Sequence, residues 1–207
     1  MKKELQKRIL SSIILIPLSF FFITKGSIFF NFFAIVILLI TLYEWHFLSL
    51  KKAYYLPGFI FIILSFYTFF FLRHDGDYRI FLLIILTCIA TDVGGYVFGK
   101  IFKGPKLTKI SPKKTYSGAV GSIIFSLIFG HAYLYFLNPT LIDHMSIILF
   151  ILLISITSQV GDLIISFLKR KANTKDAGYI LPGHGGILDR IDGMLLALPL
   201  GIIFLST

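Results

Sequence analysis

The chain has 207 residues, 57% of them hydrophobic, and 20 Lys and Arg against 10 Asp and Glu give it a formal charge of +10. A soluble domain holds roughly 45–50% apolar residues, so this composition and a mean hydropathy of +0.88 predict an integral membrane protein and exclude an ordinary soluble fold. The basic excess lies beside apolar runs, where anionic lipid head groups rather than nucleic acid are the partner, and a single cysteine, Cys88, excludes a disulfide framework and a cysteine metal cluster.

Charged and turn residues mark off seven apolar segments: Ile9 to Thr24, Ile28 to Leu50, Leu56 to Leu72, Ile80 to Phe98, Gly118 to Leu137, Met145 to Leu168, and Ile187 to Ser206. Each is near the roughly 17–25 residues that a helix needs to cross a bilayer. Helices are required, because open strands would leave backbone groups unpaired in lipid. The first segment follows a basic start, as a secretory signal does, but Thr24-Lys-Gly-Ser27 offers no small-x-small cleavage site, so it reads as a retained span. The predicted fold class is all-α, a polytopic membrane helix bundle of about seven transmembrane helices.

Of the 20 Lys and Arg residues, seventeen fall in alternate connections (Lys2 to Arg8, Lys51 and Lys52, Lys100 to Lys114, Lys169 to Arg190). Only Lys25, Arg73 and Arg79 lie on the opposite side. The excess of Lys and Arg marks the cytoplasmic side, so the N-terminus is expected inside and the C-terminus outside. No linker, repeat or low-complexity tail divides the chain, and residues 1–207 are expected to form a single integral membrane domain. Its two long inner connections, residues 99–117 and 169–186, are the places where a polar ligand could be held.

Five of the 10 carboxylates fall within or at the edge of apolar runs: Glu44, Asp92, Asp162, Asp189 and Asp192. An acid within the membrane costs on the order of 2.5–3.5 kcal/mol on insertion scales, so each calls for a purpose. Asp162 precedes Lys169, and Asp92 precedes Lys100, by about two helical turns, roughly 10 Å at 1.5 Å per residue. Asp189 and Asp192 are spaced to share one face of the last helix, with Arg190 pointing elsewhere. Joined by Asp162, they would make an oxygen-rich cluster suited to Mg2+, which takes one or two carboxylates together with phosphates and water. Plainer roles compete. Asp189 could cap the last helix, Asp92 could serve a glycine-rich bend at Val93-Gly-Gly95, and Glu44, beside Trp45 and His46, reads as an internal hydrogen-bond partner or interfacial anchor.

Pro182-Gly-His-Gly-Gly186 precedes a helix, where glycines let backbone N–H groups turn toward an anion. Lys169, Arg170, Lys171, Lys175 and Arg190 surround it in sequence, a set suited to a polyphosphate, although Lys169 and Lys171 could equally be positive-inside anchors. His184 reads as a phosphate donor, with a loop hydrogen bond as the competing role. In the other connection Lys113 and Lys114 are candidates for a lipid phosphate or part of a nucleotide. Lys100, Lys103 and Lys106 suit the anionic leaflet at about 1 kcal/mol each. Neither a Walker motif nor Gly-x-Gly-x-x-Gly occurs.

Ser166-x-x-Lys169-Arg170, Lys175-Asp176 and Leu181-Pro-Gly-His-Gly-Gly-Ile-Leu-Asp-Arg-Ile-Asp192 together resemble the pattern of phosphatidate cytidylyltransferases, also called CDP-diacylglycerol synthases. Thr91-Asp92-Val-Gly-Gly-Tyr96, Gly99-Lys100, Ile110-Ser-Pro-Lys-Lys-Thr115 and Gln159-Val-Gly-Asp162 are similar to further family segments, in the same order. The chain departs from the family at Tyr116-Ser117-Gly118, where Trp-Glu-Gly is usual, and is shorter at its N-terminal end than many relatives. The resemblance implies that CTP and phosphatidic acid give CDP-diacylglycerol and pyrophosphate at the cytoplasmic face of a bacterial inner (plasma) membrane. Asp162 and Asp189 would then be catalytic, holding Mg2+ with support from Asp192 and with room in the expectation for a second cation. Lys169, Arg170, Lys175, His184, Gly185, Gly186 and Arg190 would bind the triphosphate, with Asp92, Ser166 and Asp176 as further candidates. Anionic inner-leaflet lipids are expected partners, and a homodimer is left open. The rivals are a CTP-dependent lipid kinase and an ion-coupled transporter using Asp92 and Asp162. A CDP-alcohol phosphotransferase is disfavoured, because its Asp-Gly-x-x-Ala-Arg pattern is absent.

Overall fold

The computed structural model describes residues 2–137, 144–181 and 185–205. Among them are seven helices: α1 (Lys2–Lys25), α2 (Ser27–Ser49), α3 (Tyr55–His74), α4 (Tyr78–Phe102), α5 (Tyr116–Leu137), α6 (His144–Lys171) and α7 (Leu188–Leu205). The only extended pairings among the described residues are two isolated bridges, so the all-α expectation holds. Five helices, α2 to α6, contain stretches long and apolar enough to cross a membrane, while α1 adds a shorter apolar stretch, Ile13–Lys25.

The helix ends follow local chemistry. Gly26, at φ 65°, separates α1 from α2. Asp77 caps α4 by accepting the Arg79 N–H at 2.7 Å, and Thr115 caps α5 by accepting the Gly118 N–H at 3.1 Å. At the end of α6, the Thr174 N–H reaches back to the Lys169 carbonyl and the Asn173 N–H to that of Arg170. Asn173 adopts φ 58° there. This is the left-handed stop that satisfies orphan carbonyls and turns the chain sharply.

The chain divides into two compact units, Met1–Phe70 with Lys169–Ile191, and Phe71–Leu168 with Asp192–Thr207. In the first, Phe30 stacks on Phe69 with centroids 5.0 Å apart. Trp45 is buried, donates its indole N–H to the Tyr55 carbonyl at 3.0 Å, and lies so close to Gly58 that a Cβ there would overlap the ring. Phe32, Leu39 and Phe47 face outward from the same helix, as a surface solvated by lipid allows.

In the second unit α4 and α5 cross at a glycine seam. A Cβ on Gly94 would come 2.7 Å from the Gly121 carbonyl, and one on Gly118 would come 2.8 Å from that of Gly95. Small residues let backbones approach this closely, which is how apolar helices associate in lipid. α4 runs as one helix through Gly94 and Gly95, the stretch where a glycine-rich bend competed as the role of Asp92. A polar ladder joins three helices: Thr91 Oγ1 donates to Ser155 Oγ at 2.9 Å, and Ser122 Oγ donates to the Thr91 carbonyl at 2.7 Å. A second close approach brings α6 to α7, where a Cβ on Gly161 would lie 2.9 Å from the Asp192 carbonyl and one on Gly193 would strike Ser158.

Candidate active site

In the first unit the connection from α6 to α7 is organised around carboxylates. Its base is the Schellman turn that ends α6 and leaves Lys169 on the final helical turn. Lys169 donates to Asp189 Oδ1 at 2.6 Å, and the two side chains are only 11% and 6% exposed. The other oxygen, Oδ2, accepts the Ala177 N–H at 2.8 Å and the Gly186 N–H at 2.9 Å. One carboxylate thus ties the end of α6, the middle of the connection and the start of α7 together.

Glu44, from α2, holds the adjoining stretch. Its Oε1 accepts the Ile187 N–H at 3.0 Å and its Oε2 accepts the Leu188 N–H at 2.8 Å. Residues 186–188 therefore present three successive N–H groups, the arrangement that receives anions at a helix start, and protein carboxylates take all three. Gly185 closes the loop by accepting the Leu181 N–H at 2.9 Å, at a φ of 83° that favours glycine. Pro182, Gly183 and His184 lie outside the described residues, and the expected phosphate role of His184 with them.

Most bases of this connection face outward, Lys169 apart. Arg170, Lys175 and Arg190 are exposed. Arg170 also donates to the Thr174 carbonyl at 3.0 Å, and Lys171 lies 5.6 Å over the Tyr54 ring. Asp176 is half-buried and packs its Cβ beside Gly185.

In the second unit the connection after α4 doubles back on itself. The Leu107 N–H donates to the Lys114 carbonyl at 2.8 Å and the Tyr116 N–H to that of Pro105 at 3.2 Å. The Ser117 hydroxyl donates to the Lys103 carbonyl. This fold-back sends Lys114 to Asp162, Nζ to Oδ2 at 2.5 Å, with side-chain exposures of 25% and 28%. Ser166, one turn along α6, donates to Asp162 Oδ1 at 3.2 Å. Asp192 is buried, and its Oδ1 accepts the Gly193 N–H at 2.9 Å. Lys113 and Asp92 are exposed.

The carboxylates of the second unit, Asp162 and Asp192, are of the donor type that a hard divalent cation takes. Among the described residues no three His, Cys, Asp or Glu are gathered into a cage, but magnesium needs only one or two carboxylates when phosphates and water complete its shell. α6 and α7 approach each other at Gly161 and Gly193, the neighbours of Asp162 and Asp192. Asp162 keeps lone pairs to spare beyond its two donors, and it is partly open to solvent. Asp189 is more heavily engaged, with three donors on two oxygens.

Sequence reasoning marked Glu44 as an internal hydrogen-bond partner without finding the partner. Its partners lie 143 and 144 residues away in sequence, and no local pattern signals such a pairing. The glycine at 186 was expected to expose backbone to phosphate. In the structure its N–H is given to Asp189, and its missing side chain makes room for Glu44.

Comparison with known proteins points to a family. A model described as the cytidylyltransferase family matches residues 54–207. A phosphatidate cytidylyltransferase of Rickettsia felis is 36% identical over 99% of this chain and 93% of its own length. That of Rickettsia typhi is 33% identical over 96% of the chain and 90% of its own length. The Staphylococcus haemolyticus protein of the same name is 40% identical over 73% of this chain, a match that spans 58% of that longer relative.

Proposed function

The chain belongs to the cytidylyltransferase family, and from that premise we propose that it transfers the cytidylyl group of CTP to phosphatidic acid, giving CDP-diacylglycerol and pyrophosphate. An oxygen of the phosphatidate phosphate attacks the α-phosphorus of CTP. A new P–O bond forms as the bond to the β-phosphate bridge breaks, and pyrophosphate leaves with the electron pair. The phosphatidate oxygen is already anionic, so no general base is needed. The chain's main task is to hold two polyanions together and neutralise the leaving group.

The observation that carries this reading is the division of labour among the bases of the α6–α7 connection. Lys169 is buried and neutralises Asp189, which also has two backbone donors, whereas Arg170, Lys175 and Arg190 of the same segment are exposed. These three bind and orient the triphosphate, and Lys113 and Lys114 receive the lipid phosphate. Asp162 and Asp192 would hold magnesium, which when bound would supply further positive charge against the departing pyrophosphate. Seventeen of the 20 Lys and Arg lie in alternate connections. They support a cytoplasmic N-terminus, about seven spans and an active site on the cytoplasmic side of a bacterial inner membrane.

Labelled nucleotide tests the reaction. Purified protein given phosphatidic acid and CTP should put an α-phosphate label into lipid, should stop on chelation and should resume with magnesium. Entry of a γ-phosphate label instead establishes a lipid kinase, and label in neither position refutes nucleotidyl and phosphoryl transfer alike.

A further inference from the structure

Glu44 is the one acid in α2, it is 2% exposed, and the reaction as written above does not use it. Both of its oxygens are spent on the Ile187 and Leu188 N–H groups. Those groups open α7, where the first turn has no partners within the helix. A charged acceptor at that position satisfies two orphan donors and sits at the positive end of the helix dipole. The surrounding chain is shaped to admit it. A Cβ on Gly178 would lie 2.5 Å from Glu44 Oε1, and one on Gly186 would lie 2.5 Å from Oε2. Two glycines of the connection are therefore explained by a carboxylate that reaches in from another helix.

We propose that Glu44 is the positioning residue of the nucleotide-binding connection. It fixes the start of α7, and through it the Asp189 carboxylate that holds Lys169, Ala177 and Gly186, and the height from which Arg190 leaves the helix. The role rests on the reading of this connection as the CTP site. Glu44 touches neither substrate. It acts by keeping the segment in the shape that binds triphosphate, so its loss should weaken CTP and leave the lipid substrate largely alone.

Glu44→Gln keeps the size of the side chain but turns an NH2 toward one of two N–H donors, and Glu44→Asp keeps the charge but falls short by one methylene, roughly 1.5 Å. The test measures kcat, KM for CTP and KM for phosphatidic acid on detergent-purified protein, together with CTP affinity by titration calorimetry. Glu44→Gln should raise KM and Kd for CTP roughly tenfold or more, with KM for phosphatidic acid within about twofold of wild type. Gly186→Ala should do the same, and pairing it with Glu44→Asp should cost less than the product of the single effects, because the shorter acid makes room for the new methyl. The Asp and double variants carry the test if the Gln variant fails to fold.

Wild-type KM and Kd for CTP in Glu44→Gln overturn the proposal. So does a fall in kcat that merely follows the folded fraction with both KM values unchanged. A wild type that binds CTP yet makes no CDP-lipid overturns the assigned reaction, and the Kd values then decide on Glu44 independently.

Discussion

Asn at position 189 and Asn at position 162 should damage the protein in different ways, although both acids belong to the same proposed chemistry. Asp189→Asn strands the Lys169 ammonium in a pair whose side chains are only 11% and 6% exposed. It also turns an amide donor toward Lys169 or toward the Ala177 and Gly186 N–H groups. Removing one partner of a buried pair costs about 3–5 kcal/mol. Asp162 and Lys114 are 28% and 25% exposed, and a pair that open is worth roughly 0.2–1 kcal/mol. At about 2–4 °C per kcal/mol for a chain of this size, Asp189→Asn should lower the thermal midpoint by roughly 6–20 °C. The same conversion gives Asp162→Asn at most about 4 °C. Thermal unfolding in detergent measures both, and turnover is compared at a temperature where each variant is folded. Both should lose roughly 10²-fold or more in kcat. A double variant, Lys169→Met with Asp189→Asn, should recover part of the stability and none of the activity, since removing both charges is cheaper than removing one. A wild-type midpoint in Asp189→Asn would refute the buried tie, and wild-type turnover in Asp162→Asn would refute its place at the cation.

Thr115→Ala removes the acceptor that caps α5 and should cost roughly 1 kcal/mol, seen as a slightly lower thermal midpoint with kcat nearly intact. An unchanged midpoint would deny the cap its weight. Gly121→Val drives a side chain into Phe98 across the glycine seam. Such overpacking costs about 1–3 kcal/mol and should lower the yield of folded protein, whereas a wild-type midpoint and yield would contradict the close α4–α5 crossing.

The helices among the described residues were legible because lipid imposes one rule on apolar runs, and five of them are long and apolar enough to cross a membrane. Apolar runs of span length must be helical, and the charges that interrupt them mark the turns, so each expected segment overlaps one helix in order. Their ends were less legible, because capping is local: α1 begins among the lysines at Lys2, well before the apolar run at Ile9. The basic character of the α6–α7 connection could also be read directly. What could not be read is which acid meets which donor. Asp162 and Lys114, or Glu44 and Leu188, are joined only by the three-dimensional path of the chain. The glycines show the same limit. Gly94 and Gly95 left a bend open as one reading and mark a helix crossing, because a missing side chain serves a hinge and a close neighbour equally well.

The donors of the acids within the apolar runs also explain how each unit can keep carboxylates there before any substrate arrives. A bare carboxylate at that depth is costly, and at least four of the five have donors. Glu44 has two backbone N–H groups, Asp162 has Lys114 and Ser166, Asp189 has Lys169 and two N–H groups, and Asp192 has the Gly193 N–H. The donors differ in what they release. Backbone N–H groups are fixed in place, so Glu44 keeps its partners and serves to position the connection. Lysine ammonium groups sit on flexible stems, so a bound phosphate would be able to draw them from the carboxylate. On that ground Lys114 is the group best able to exchange partners, since its pair is the more open of the two. Lys169, deeper and joined on the same acid by two backbone donors, is the group expected to stay.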